Sequence, residues 1–303
     1  AMLAEERSQT SAGGTNTGWF AGYDYLYEKH FTPDAAQAAQ CAVLEFEGVY
    51  HNAEVHLNGE KIASCPYGYS DFYADLTGKL LPGRDNVLEV IAHNADQPNS
   101  RWYSGAGIYR PVTLWTAPAR HILPDGVQVR TLSIDPAEVE VTVQTTASGA
   151  VAVAILDGEQ TVATAQAESN GKAVLRVQIP NAKLWSPDSP ALYRCRAMFG
   201  DDCAETTFGV RTLSWGDDGF LLNGKRVILL GACVHHDHGV LGACCYPEAE
   251  ERKVRLLQKV GYNAVRCAHN PCSKAFLDAC DRLGMLVMDE YADMWYIHKT
   301  QYD

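Results

Sequence analysis

Between Val227 and Trp295 the chain alternates short apolar runs with segments of helical period, and few architectures accommodate that pattern. The apolar runs are Val227–Leu230, Ala264–Cys267 and Leu286–Met288. In the first intervening segment Pro247 is placed to open a helix, Val254, Leu257 and Val260 give it an apolar stripe, and Gly261 suits a left-handed stop. In the second, Ser273 can cap, Phe276, Leu277, Cys280 and Leu283 form the buried face, and Gly284 ends the helix. Apolar strands separated by helices predict a parallel sheet covered on both faces. Each run is followed by polar residues: His235, His236 and Asp237; Arg266, His269 and Asn270; Asp289 and Glu290. The carboxyl ends of successive strands are where an α/β barrel carries its active site. The segment is therefore expected to open a (β/α)8 barrel. A small open doubly wound sheet is the alternative that periodicity leaves standing.

The preceding chain has a different texture. Residues 1–22 are polar and rich in Gly, Ser and Thr, and lead into a strand near Tyr25–Phe31. Ala42–Phe46 and Ala53–Leu57 alternate apolar and polar residues, and Asn58-Gly59 is a hairpin turn before Lys61–Ser64. Asn86–Ala92 and Val112–Trp115 are further strands. Short strands with Gly, Pro and Asn punctuation predict a β-sandwich of jelly-roll type. The loop Arg101–Arg110 (RWYSGAGIYR) interrupts it. There Arg101, Trp102, Tyr103 and Tyr109 offer the stacking faces and donors that a sugar ring needs, although aromatics packing into their own sandwich is the plainer reading. A second all-β stretch follows, with strands at Val127–Ile134, Val139–Thr145, Val151–Leu156, Ala173–Ile179, Leu192–Ala197 and Cys203–Gly209. Their spacing fits an immunoglobulin-like sandwich with no titratable cluster, and so a spacer. Leu184–Pro190 (LWSPDSP) reads as a rigid turn and Asn223-Gly224 as a small hairpin at the entrance of the third region.

Composition narrows the partners. A formal net charge of −12 argues against nucleic acid and anionic membrane surfaces, both of which need a basic face. No apolar run approaches the length that spans a bilayer. Most of the ten cysteines sit inside apolar runs, which favours free thiols in a reducing, cytoplasmic setting over a disulfide framework. Cys195 and Cys203 could face each other across a hairpin, a pairing that the sequence leaves open. His235, His236, His238, Cys244, Cys245, Cys267, His269 and Cys272 invite a zinc reading. Their spacing lacks a C-x2-C pair, so no metal is expected.

The segment NAVRCAHNPCSKAFLDACDRLGMLVM, Asn263 to Met288, closely resembles the signature of glycoside hydrolase family 2, departing from it at Asn270, where the signature usually has Tyr. RWYSGAGIYR, LWSPDSPALY and FLLNGKRVILLGACVHHDHG resemble the family's other landmarks, in the same order. The resemblance implies a jelly-roll sugar-binding-like domain over 1–120, an immunoglobulin-like sandwich over 121–212 and the start of a TIM-barrel catalytic domain over 213–303. HHD followed by DEYADMW looks most like bacterial β-galactosidases, which implies retaining hydrolysis of a terminal β-linked galactoside, a small carbohydrate substrate, and no cofactor. A β-glucuronidase or β-mannosidase of the same family is the alternative, and a noncatalytic carbohydrate-binding module built on the first sandwich is a reading from another class. Homo-oligomerisation is left open.

By the same resemblance His235, Asp237, His269, Asn270 and Glu290 are expected to line the pocket for the terminal sugar, with Arg101 and Trp102 reaching it from the first sandwich. Arg266 is expected to pair with carboxylates inside the barrel, and Asn270 has capping of the next helix as an alternative role. Retaining hydrolysis needs two carboxyl groups about 5–5.5 Å apart. Asp289 and Glu290 are adjacent on a strand and point to opposite faces, so they do not make that pair. In the family the acid/base and nucleophile glutamates follow the fourth and seventh barrel strands, which places both beyond Asp303. The chain is accordingly expected to be an inactive piece of a larger enzyme, lacking the first strand or two of its jelly roll. A magnesium site of lactase type is not expected, because Met294 and Tyr296 stand at two ligand positions.

Overall fold

The computed structural model describes residues 7–100 and 104–291. Arg101, Trp102 and Tyr103, the residues from Ala292 onward, including Met294 and Tyr296, and the first six residues lie outside the described residues.

The first region is a sandwich of two antiparallel sheets. One has the order Tyr25–Phe31, Asn86–Ala92, Ala53–Leu57, Glu60–Cys65; the other has Phe72–Asp75, Cys41–Phe46, Val112–Ala117. Asn86–Ala92 shows why it is central. Its residues alternate between buried and half-buried along the whole strand, the period of two that places Leu88, Val90 and Ala92 on one face. That face packs with Val55 and Leu57 against Leu44, Phe46 and Ala74 of the opposing sheet. Asn58 and Gly59 both have positive φ (52° and 82°), the combination a two-residue primed turn requires. A short extra pair, Val49–Tyr50 with Gly107–Ile108, extends the sandwich towards the third region.

In the second region the expected runs Val139–Thr145 and Val151–Leu156 are one strand, Ala137–Asp157, with an irregularity between Gln144 and Ser148. There the strand changes partners: its first half pairs with Ile122–Ile134 and its second with Tyr193–Phe199. The bend lets one strand line both halves of the core, where Val139, Val141, Val143, Val151 and Ile155 are fully buried. Gln160–Gln178 follows the bent strand along its length, so its Ala- and Thr-rich first half is strand as well. Cys195 and Cys203 do not face each other across the hairpin. The register sets Cys195 opposite Thr206 and Cys203 opposite Met198, with Cys195 in the core and Cys203 exposed, and both are free thiols.

The third region begins with a three-stranded meander, Leu213–Gly216, Gly219–Leu222 and Lys225–Arg226. Then comes a parallel sheet: β1 (Gly231–Val234), α1 (Pro247–Lys259), β2 (Ala264–Cys267), α2 (Lys274–Leu283) and β3 (Leu286–Met288), with β2 between β1 and β3. These are the first strands and helices of a (β/α)8 barrel, behind two β-sandwiches. Pro247 occupies the first turn of α1; the Ser273 hydroxyl accepts from Phe276 N–H to cap α2, and Gly284 (φ 83°) ends it. Asn270 is therefore not the cap.

The first strand lies four residues later than the apolar run Val227–Leu230 that was expected to form it. Asn263 explains the offset. Its side chain accepts from Leu230 N–H (2.8 Å) and donates to Ile228 O (2.9 Å), so the run is held by a side chain rather than by a strand ladder. Ile228 and Leu230 are consequently exposed. Pairing starts at Gly231, where a Cβ would sit 1.9 Å from Ala264 O, so only glycine allows the two backbones to approach.

Two of the junctions between the regions involve α2. Trp185, 1% exposed, donates from Nε1 to Asp281 O on α2 (2.8 Å) and packs with Leu222, Ala264 and Leu286. Lys274, at the start of α2, meets Glu45 of the first sandwich and Asp125 of the second (2.6 Å).

Candidate active site

Parallel pairing puts the carboxyl ends of β1, β2 and β3 side by side, and the polar residues that follow them converge. Arg266 forms an ion pair with Glu290, and its Nη1 approaches Cys233 Sγ at 3.4 Å. His269 Nδ1 lies 3.4 Å from Glu290 Oε2, and the His235 and His269 rings are 5.6 Å apart, inclined at 58°. One residue from each strand end thus contributes to a single cluster: His235, His269 and Glu290. Imidazoles that can give or take a hydrogen bond, beside a carboxylate that accepts from hydroxyls, form a surface suited to a polyol.

Beside this cluster a cleft of about 450 Å³ opens between the first sandwich and the strand ends. Glu47, Tyr69 and Arg110 form one wall, and Cys272, Asp289 and Glu290 form the other. Burial, followed by the neighbouring Glu45 carboxylate, raises the Glu47 carboxyl above the usual range. His235 lies instead on a smaller adjoining crevice with His236, Lys253 and Cys267.

The wall contributed by the first sandwich is fastened to the barrel segment by Arg110, itself only 6% exposed. Its guanidinium donates to Glu47 O (3.3 Å), Tyr69 O (3.0 Å) and, across the seam, Pro271 O (2.7 Å). Tyr69 also packs on the His236 ring at 5.1 Å. Burial, with Arg110 next in effect, pushes the His236 imidazole down to about 3, so it is neutral at any ordinary pH.

The expected site residues divide three ways. His235, His269 and Glu290 come together. Asn270 is buried beneath them, its Oδ1 accepting from Tyr67 OH of the first sandwich, and Asp237 is exposed in the loop after β1. Arg101 and Trp102 lie outside the described residues. Sequence reasoning missed Glu47 and Tyr69. The aromatic turn Tyr67-Gly68-Tyr69 was the available signal, but nothing local ties it to residues some two hundred positions downstream.

Among the described residues, two groups of side chains have metal-ligand composition. Glu45, Asp71 and Asp125 converge, but Lys274 Nζ already occupies their midst. Cys267, Cys272 and Asp289 present two sulfurs and a carboxylate oxygen within 4.8 Å of one another.

Two β-sandwiches leading into a parallel barrel, with imidazoles and a carboxylate on the strand ends, define a modular carbohydrate-active architecture. Family models described as glycosyl hydrolase 2 galactose-binding domain-like, glycosyl hydrolases family 2, and glycosyl hydrolases family 2, TIM barrel domain, match residues 9–120, 125–211 and 214–298. The chain belongs to glycoside hydrolase family 2. It is 38% identical to β-galactosidase BoGH2A of Bacteroides ovatus over 98% of its own length and 37% of that protein's. A family 2 glycosyl hydrolase from Bacteroides cellulosilyticus superposes with a TM-score of 0.91 at 36% identity, over 100% of this chain and 42% of that one. The β-glucuronidase of Faecalibacterium prausnitzii superposes with a TM-score of 0.79 at 32% identity, over 89% of this chain and 51% of that one. The chain spans about a third to a half of the length of these relatives.

Proposed function

We propose that the protein to which these residues belong is a retaining exo-glycosidase acting on terminal β-D-galactosides, and that this chain supplies one side of the sugar pocket. The supporting observation is the convergence of His235, His269 and Glu290 at three adjacent parallel strand ends, beside a cleft closed by the first sandwich. Asp237, Asn270, Arg101 and Trp102 are assigned to the same pocket by the family resemblance, the last two lying outside the described residues. Residues 1–120, 121–212 and 213–303 act as sugar-side wall, spacer and barrel opening.

Charge favours a neutral sugar over a uronate. The cleft is lined by the carboxyl groups of Glu47, Asp71, Asp289 and Glu290. Its two cations, Arg110 and Lys274, are already engaged with carbonyls and with Glu45 and Asp125. A glucuronide carboxylate would enter against these acids, and both cations among the described lining residues are already engaged.

The 303-residue chain alone is proposed to be inactive. Glu290 is tied to Arg266, and Asp289 Oδ1 accepts from the Cys272 and Glu290 N–H groups (3.1 and 3.2 Å), so neither is set up to protonate a leaving group or attack an anomeric carbon. The test is to assay this chain and its full-length parent on nitrophenyl β-D-galactoside and β-D-glucuronide, following the first-formed anomer by NMR. The parent should release β-galactose and the isolated chain nothing above a blank. Turnover by the chain, an α-anomer, or preference for the glucuronide would each overturn part of the proposal.

A further inference from the structure

We infer that Cys267, Cys272 and Asp289 form a binding site for a thiophilic divalent cation of the zinc class, set in the wall of the cleft. Cys267 ends β2, Cys272 lies in the loop that leads to α2, and Asp289 follows β3, so three separate segments deliver one ligand each. The C-x2-C spacing that a sequence reading looks for is absent because the third ligand comes from the neighbouring strand.

The geometry suits a tetrahedral ion. Metal–sulfur bonds of about 2.3 Å and metal–oxygen bonds of about 2.0–2.2 Å put tetrahedral ligand atoms roughly 3.5–3.8 Å apart. The three atoms lie within 4.8 Å of one another without an ion, so closure asks for about 1 Å of inward movement from side chains that turn about χ1. Asp289 is held for the role: its Oδ1 accepts from the Cys272 and Glu290 backbone N–H groups, which fixes the carboxylate plane and keeps it beside Cys272. Cys267 is 1% exposed and forms the back of the site, whereas Cys272 and Asp289 line the cleft, which gives an entry path and a fourth coordination position for water.

Two sulfurs and one oxygen select a borderline-soft ion over magnesium or calcium, which take oxygen ligands. Binding is an exchange: one M²⁺ enters, each coordinating thiol gives up its proton to solvent, and the Asp289 carboxylate completes the protein ligands.

The experiment uses the 303-residue chain, reduced and stripped of metal, titrated with Co²⁺ as a spectroscopic probe and then with Zn²⁺ as competitor. One equivalent of cobalt should give thiolate-to-cobalt charge transfer with the visible bands of a tetrahedral ion, and one equivalent of zinc should abolish both. Cys272→Ser should weaken binding at least tenfold and diminish the charge transfer, whereas Cys203→Ser, exposed in the second sandwich, should leave the titration unchanged. Asp289→Asn, which keeps a side-chain oxygen for the two backbone donors, serves if the cysteine variant fails to fold, and should weaken binding at least fivefold. Absence of charge transfer, an octahedral spectrum, or a titration indifferent to both Cys272→Ser and Asp289→Asn would overturn the inference.

Discussion

Replacing Lys274 by methionine should uncouple the three regions, because this one ammonium meets carboxylates from two of them. Glu45 is 3% exposed and Lys274 is its cationic partner, while Asp125 reaches the same Nζ at 2.6 Å. Removing one member of a fully buried ion pair typically costs about 3–5 kcal/mol, and an exposed pair about 0–1 kcal/mol. Lys274 lies between the limits: its side chain is 39% exposed, and Glu45 keeps a bond from Trp115 Nε1 at 2.7 Å after the loss. An intermediate loss of about 2 kcal/mol follows. With roughly 2–4 °C per kcal/mol for a unit of some 200 residues, the transition should fall by about 4–8 °C. Calorimetry is the assay of choice, since a multi-region chain need not melt in one step and a split endotherm would itself report uncoupling. Glu45→Gln in the Lys274→Met background should cost clearly less than in the parent, with a coupling of about 1 kcal/mol. A transition within 1 °C of the parent, or strict additivity, would refute the junction as a source of stability.

Arg110→Met should cost about 3 kcal/mol or more by urea titration, because the Tyr69 and Pro271 carbonyls lose their charged donor inside the seam, and Arg110→Lys should recover little of it; a loss under 1 kcal/mol would contradict the seam described above. Stability should also fall as the medium is acidified below the unfolded histidine range. His236 is depressed to about 3 when folded, so the unfolded chain binds the extra proton between roughly pH 6.5 and 3, and the slope there is up to about 1.4 kcal/mol per pH unit. Arg110, Lys253, His235 and His238 all bear on this ring and oppose its protonation. His236→Phe should flatten that part of the pH–stability curve, and an unchanged slope would count against the assignment.

Sequence reading went furthest where one face of an element is buried and its ends carry punctuation. Ala53–Leu57 and Asn86–Ala92 alternate cleanly, and β2, β3 and both barrel helices carry a dense apolar run, a cap or a terminal glycine. It failed where a side chain overrules local pattern. Ile228–Leu230 is as apolar as any strand, yet Asn263 claims its backbone from thirty-odd residues away. It also divided Ala137–Asp157 in two, since a polar stretch inside a strand looks like a loop until the change of partner is seen. Within the candidate site, His235, His269 and Glu290 were legible because each follows a strand. Glu47 and Tyr69 were not, since their relevance comes from Arg110 bridging two regions, and no local pattern encodes such a contact. The buried fate of Asn270 was hidden for the same reason, its partner Tyr67 being in the first sandwich.

The tight left-handed turn at Gly284 packs so closely on the second sandwich that a Cβ there would lie 2.3 Å from Pro187 O. Two residues later β3 begins, and β3 delivers Asp289 and Glu290. The middle region, which contributes no residue to the lining of the cleft, therefore works as an alignment jig: the height of Pro187 sets where the third strand starts, and hence how far its carboxylates project. Substitutions in the Leu184–Pro190 turn would register first as altered ligand geometry at the opposite end of that strand.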